Sequence, residues 1–281
     1  MGWPGATDLQ RGVGGNFEVT VVEAPDGLAR HLVKRPAPWL RDRPEGKAAL
    51  EREWRVLEAM ALSSMPKPLF RGEDERGPFV AESLVPGVPL RVVAEKGRPL
   101  SPARFRRLAH AAFSALAELH EHADERGPLG FVHGDISPDN LFLDEVPAAV
   151  RVGFVDFAHA TFRDAQAPVF PHARGTLPYA APELVRGEAS PTAATDVYAL
   201  AASLLTLVLP ALTEASTEAA MLVEVGDRGL RLDAWTARQD VEPSVKQALA
   251  RTLAFDPAER ITSARELAAA FAPSPADRGR C

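Results

Sequence analysis

Thirteen residues in the middle of the chain, Phe131-Val132-His133-Gly134-Asp135-Ile136-Ser137-Pro138-Asp139-Asn140-Leu141-Phe142-Leu143, constrain it more than any other stretch. An apolar entry, a polar turn and an apolar exit set Asp135 and Asn140 five positions apart, a spacing that can aim both side chains into one cleft. The run Val152-Gly153-Phe154-Val155-Asp156-Phe157-Ala158, whose Asp156 lies sixteen residues beyond Asn140, reads as a short buried strand that ends in a carboxylate. Buried carboxylates are costly unless a cation pairs with them, and a metal–nucleotide complex is a natural partner. A single Asp in such a place is more often a turn cap; the two stretches in order favour a site.

With 281 residues, the leading options are one two-lobed unit or two modest domains. Apolar residues at 46% and charged residues at 25% are ordinary globular usage, which argues against disorder along the whole chain. A net charge of −6 offers no long-range attraction to phosphate backbones, and Arg104, Arg106 and Arg107 cluster on one helix, so nucleic-acid binding is disfavoured. The one cysteine, Cys281, excludes an intrachain disulfide and a cysteine metal cluster. The start, Met1 to Gly5, lacks a basic segment followed by an apolar run, and no apolar stretch reaches the roughly 18 residues of a membrane span. A cytoplasmic location without a membrane segment is the expectation; the oligomeric state is not readable.

From Leu9 to Val22 a glycine-rich turn (Gly12, Gly14, Gly15) feeds an alternating strand, and the turn Pro25-Asp26-Gly27 leads to another strand, Arg30 to Lys34. A glycine loop lets backbone N–H groups approach a phosphate closely, although glycine-rich hairpins are common and the motif alone is weak. Between Glu45 and about Leu62, Leu50, Trp54, Leu57 and Ala61 recur at helical spacing, with Glu53 at the margin of the stripe. An inward Glu53 needs a cation, and Lys34 is the candidate. Leu69-Phe70 and Phe79-Val80-Ala81 add two strands, for about five in a small antiparallel sheet.

Val85 to Pro89 reads as a connector, and the composition then turns helical. Ser101-Pro102 is an N-cap followed by proline at the first helical position, opening a helix to about His122 with Phe105, Leu108, Ala112, Leu116 and Leu119 inside. A loop spans 162–174 and ends in Gly175-Thr176-Leu177-Pro178-Tyr179-Ala180-Ala181-Pro182-Glu183. The stretch 196–207 is apolar nearly all round and predicts a central helix capped by Thr195-Asp196. Further helices are expected near 217–225, 243–254 and 262–271, and a polar tail from 273 to 281.

Taken together in this order, these stretches resemble the eukaryotic-like protein kinase family, in particular its bacterial Ser/Thr members, from about residue 8 to 272. The separations Val19 to Lys34 (15) and Lys34 to Glu53 (19) are also similar to those of that family. The resemblance implies an α+β, bilobal protein kinase-like fold: an antiparallel-sheet N-lobe with one helix over 1–84 and a mostly helical C-lobe over 85–272. It implies that Lys34 holds the α and β phosphates of ATP, that Glu53 aligns it, and that Asp135 accepts the proton of the substrate hydroxyl. Asn140 and Asp156 would be the ligands of Mg2+, which favours hard oxygen donors. Gly12, Gly14, Gly15 and Val19 would line the nucleotide, with Glu82 and Leu84 presenting backbone groups to adenine and Ala81 as a small residue behind it. Glu183 and Arg260 would form a structural ion pair, and Asp196 would brace the catalytic turn. A protein or peptide substrate is implied.

The chain departs from the family pattern at several places. Gly134 stands where many regulated members have arginine, which argues against activation by loop phosphorylation. Ser137 replaces a lysine, Ala158 replaces the glycine after Asp-Phe, Phe17 sits where a third loop glycine is common, and Leu32 where a small alanine usually lies over adenine. Three readings stay open: an active Ser/Thr protein kinase, a pseudokinase binding module, and a kinase of a small metabolite or biosynthetic peptide. The last is motivated by the His-Gly-Asp turn, which resembles that of aminoglycoside-kinase-type enzymes.

Overall fold

A computed structural model describes residues 7–23, 29–96, 100–147, 149–165, 167–170, 175–209 and 211–273. The expected turn Pro25-Asp26-Gly27 and the tail beyond 273 lie outside the described residues. The chain divides into two compact units, residues 1–85 with 153–171 and residues 86–152 with 172–281. Residues 153–170, grouped with the C-terminal lobe on sequence grounds, therefore cluster with the first unit.

In the first unit, β1 (Thr7–Gly14), β2 (Phe17–Glu23), β3 (Arg30–Pro36), α1 (Pro44–Met60), β4 (Pro68–Asp74) and β5 (Gly77–Ser83) follow in order. The strands form one antiparallel sheet in the order β1-β2-β3-β5-β4, the five expected. Helix α1 opens on a proline in its first turn, where a missing N–H costs nothing. It buries Leu50, Trp54 and Leu57, and Glu53 with them. Its stripe ends at Met60: Ala61, expected to continue it, is an exposed C-cap in the left-handed region with φ 38°. Phe17, Ala49, Leu50, Trp54, Val80 and Ala158 make one core cluster, joined by the partly buried Val169 and Phe170. The segment after residue 153 is thus held by the same apolar cluster as the sheet and α1.

The second unit opens with β6 (Val88–Pro89), α2 (Leu90–Glu95), α3 (Pro102–Glu121), the short ladder β7 (Ala123–Asp124) and β8 (Gly127–Pro128), and β9 (Leu141–Val146). Strand β10 (Ala149–Phe154) pairs with β9, and β6 completes that sheet on the other side, so the expected connector carries a two-residue strand. Helices α4 (Pro182–Val185), α5 (Ala193–Leu205), α6 (Glu218–Arg228), α7 (Asp233–Thr236), α8 (Pro243–Thr252) and α9 (Ala264–Ala270) follow.

Ser101 caps α3 by accepting from Arg104 N at 3.3 Å, as its position before Pro102 predicts. The cap of α5 differs from expectation. Thr192 is the N-cap and exchanges hydrogen bonds with Thr195 at the third helical position, so Thr195 and Asp196 lie inside the first turn. Helix α5 is buried from Thr195 to Leu205, which fits its apolar circumference. Phe105 of α3 lies 5.4 Å from Trp235 and 6.2 Å from Phe271, and Phe113 stacks on Phe271, closing the core beneath α3 and α9. Among the described residues no helix is long and apolar enough to cross a membrane.

Candidate active site

The first unit gathers its charged candidates around one amine. Register places Lys34 of β3 beside Val19 of β2 and Val80 of β5, and the amine forms a buried ion pair with Glu53 of α1. The second Glu53 oxygen accepts from the main-chain N–H of Phe157 at 2.6 Å, so one carboxylate joins β3, α1 and the residue after Asp156. Asp156 itself has φ 66°, a left-handed conformation that Asp tolerates better than most residues, and it lies two positions past the end of β10 rather than within the strand.

Glu82 enters this cluster through its side chain. Expected to offer main-chain groups, it lies opposite Leu32 in the sheet, two residues on from Val80 and so on the face that carries Lys34. Its Oε1 is 3.0 Å from Lys34 Nζ, and like Glu53 it is fully buried. Burial alone would lower the affinity of Lys34 for its proton, but Glu53, Glu82 and Asp156 together outweigh it and raise the ammonium above its usual range. Burial lifts Glu53, with Lys34 opposing and Asp156 adding. Burial pushes Glu82 up to about 8, again against the pull of Lys34 and with Glu53 and Asp156 adding.

The glycine turn lies over this cluster. Gly12 and Gly14 belong to β1, opposite Val19 and Phe17. Gly15 turns the hairpin at φ 53°, and a Cβ there would lie 3.7 Å from Asp156 Oδ2. Asn16 Nδ2 is 2.9 Å from His159 Nε2. Phe17 is 1% exposed and its ring centroid is 5.6 Å from Lys34 Nζ, a cation–π contact that helps leave the amine side of the cluster only 3% exposed. Leu84, beyond the end of β5, is exposed.

Two arginines of α1 complete the first unit. Arg52 is buried and donates to the carbonyls of Ala160 and Ala167, the latter at 2.6 Å. Arg55 donates to Asp164 O at 2.7 Å. Sequence reasoning missed both contacts, because a bond to main-chain carbonyls leaves no acidic partner to find in the sequence.

The second unit holds the other candidates on the turn before β9. Gly134 adopts φ 79°, a conformation that an arginine at this position would enter only under strain. The N–H groups of His133 and Gly134 donate to the two carboxylate oxygens of Asp196 at 2.7 and 2.9 Å, and His120 Nε2 lies 3.1 Å from Asp196 Oδ2. The expected brace is therefore a single carboxylate from the first turn of α5, with His120 of α3 beside it. Asp135 Oδ1 accepts from the Thr176 hydroxyl at 2.7 Å, and Asn140 Nδ2 donates to Asp135 O at 2.9 Å. Ser137 is buried, and its carbonyl accepts from Asn140 N at 3.1 Å, closing the turn. Glu183 and Arg260 pair through two hydrogen bonds of 2.6 and 2.8 Å, with Arg260 also stacked 4.7 Å from the Tyr198 ring.

A model of the protein kinase domain matches residues 47–271, a span that includes Glu53, Asp135, Asn140 and Asp156 and begins after Lys34. The serine/threonine-protein kinase PknD of Mycobacterium tuberculosis strain CDC 1551 / Oshkosh is 30% identical over 269 residues, which cover 92% of this chain and 38% of that protein. The protein of the same name from strain ATCC 25618 / H37Rv matches with the same identity and coverage. The chain thus spans 38% of the length of these curated relatives. With a helix glutamate on the strand lysine in one unit, a braced Asp135 turn in the other, and most of its length matched, this chain belongs to the protein kinase domain family.

Proposed function

We propose that the chain is an ATP- and Mg2+-dependent protein kinase that transfers the γ-phosphoryl group of ATP to a Ser or Thr hydroxyl of a protein or peptide. The observation that carries this reading is the Glu53 carboxylate, bound at once to the Lys34 ammonium and to the Phe157 N–H next to Asp156. It ties a phosphate-binding cation and a metal-binding acid to one rigid helix, and phosphoryl transfer asks a protein for positioning and charge neutralisation above all.

Each residue proposed to hold Mg2+ has the chemistry it favours: Asn140 spends its amide nitrogen on Asp135 O and keeps its amide oxygen, and Asp156 offers a carboxylate; both are hard oxygens. When bound, the metal neutralises the phosphate charge that grows during transfer. Lys34 holds the α and β phosphates. Asp135, its carboxylate oriented by Thr176, accepts the proton of the attacking hydroxyl as the new P–O bond forms and the bond to the β–γ bridging oxygen breaks; the proton then passes to solvent. ADP and a phosphorylated hydroxyl are the products. The name of the PknD relatives supports the Ser/Thr acceptor.

Incubation with labelled ATP, Mg2+ and a generic basic protein tests the reading. Asp135→Asn should lower label transfer by about 10²–10⁴-fold; transfer that is unchanged by this substitution would overturn it. A second reading, a binding module of the same fold, is favoured by the burial of Lys34 beneath Phe17 with a second carboxylate on it. An ATP–Mg2+ thermal shift separates the two, because a ligand that binds only the folded state raises its melting temperature.

A further inference from the structure

Lys34 carries more carboxylate than one amine needs. Glu53 approaches it from α1 and Glu82 from β5, and both acids are fully buried. Among the described residues neither Glu82 oxygen receives an aligned hydrogen bond, so its 3.0 Å approach to Lys34 is a charge contact without directional support. A shared ammonium and no further donor make a poor home for a buried carboxylate, and an apolar side chain of similar volume would suit the fold as well or better. The residue is therefore poorly explained as scaffold.

We propose that Glu82 is a positioning residue that competes with the phosphates of a nucleotide for the Lys34 ammonium, and so weakens nucleotide binding while it is charged. This rests on the reading that Lys34 binds nucleotide phosphate. The groups that face Glu82 are Lys34 from β3, Glu53 from α1 and Asp156 from the segment after β10, while β4 brings Pro68 opposite it in register. One ammonium then answers three carboxylates, and a phosphate adds further negative charge to the same place. The cheapest relief is neutralisation of the acid with the weakest hydrogen bonding, which is Glu82. Its carboxyl, pushed up to about 8 by burial, takes that proton from solvent within reach of ordinary pH.

Calorimetric titration of the full chain with ATP and Mg2+ at pH 7 and pH 9 tests this, using the wild type, Glu82→Gln, Glu82→Met, and Lys34→Met with and without Glu82→Gln. Melting temperatures without ligand show that each variant is folded, and the Met variant stands in should Gln fail to fold. At pH 9 both single Glu82 variants should bind ATP roughly tenfold tighter than the wild type, the effect of about one pKa unit of coupling. The advantage should shrink at pH 7, and Glu82→Gln should give no gain on a Lys34→Met background. A wild type that binds ATP while both Glu82 variants bind equally or more weakly at pH 9 would overturn the competition and leave the kinase reading standing. Absence of ATP binding in the wild type and in both variants would overturn both.

Discussion

Asp196 is the sharpest place to test how the catalytic turn is held. Replacing it with alanine removes the acceptor of the His133 and Gly134 N–H groups, which sit at 2.7 and 2.9 Å from its two oxygens in a buried position. Hydrogen bonds to a charged partner contribute about 1.5–3 kcal/mol each, so two of them put the cost at about 3–6 kcal/mol. That is a large share of the roughly 5–15 kcal/mol that holds a typical domain folded. At about 2–4 °C per kcal/mol for a chain of this class, Asp196→Ala should melt roughly 6–24 °C below the wild type. Asp196→Asn keeps one accepting oxygen and should lose about half as much. Differential scanning fluorimetry gives the first number, and amide hydrogen exchange read by mass spectrometry localises it, since protection should fall in the peptide spanning 131–136. A fall of less than about 2 °C with unchanged protection in that peptide would refute the claim that this carboxylate holds the turn.

Two further outcomes concern the scaffold. Arg260→Leu strands Glu183 in the core without its bidentate partner and should cost about 3–5 kcal/mol in urea unfolding, whereas a cost below about 1 kcal/mol would show the pair to be dispensable. In the first unit, burial pushes the Asp74 carboxyl up, but the hydrogen bonds from Arg35 and the Arg76 main chain and the charges of both arginines hold it below its usual 3.8. The folded value thus lies below the unfolded one: the stabilisation is present above pH 3.8 and is lost as pH falls through the folded value. Asp74→Asn should flatten the acid limb of stability against pH, and an unchanged limb would show that other carboxylates set it.

Much of this was readable from residue order because local rules carried it. The stripe of Leu50, Trp54 and Leu57 at helical spacing placed Glu53 at the edge of the buried face, and Lys34 on the preceding strand was a good candidate to meet it. Ser101-Pro102 marked its helix start through backbone chemistry alone. The side-chain contact of Glu82 was not legible because Phe79-Val80-Ala81 is apolar without alternation, so nothing in the run says which parity faces Lys34; only the register with β3 decides it. The start of α5 was placed three residues late because Thr192 and Thr195 are equally good caps in isolation, and the reciprocal bond that selects Thr192 is a matter of geometry. Phe17 was noted as a missing glycine, but its burial against Leu50, Trp54 and Phe170 depends on segments far apart in sequence.

The arginines of α1 hold the segment that follows Asp156 by its peptide oxygens at 160, 164 and 167, and Arg55 also lies 5.9 Å from the centroid of the Phe162 ring. The grip on the oxygens is blind to identity: every residue type offers the same oxygen, so these three anchor points tolerate exchange of the anchored residues so long as the backbone path is kept. The vulnerability sits at the other end, where shortening Arg52 to lysine would forfeit the fork that reaches two oxygens at once. In this chain, two helix positions thus add a hold that asks nothing of the loop's own residue types, beside the apolar one made by Ala158, Val169 and Phe170.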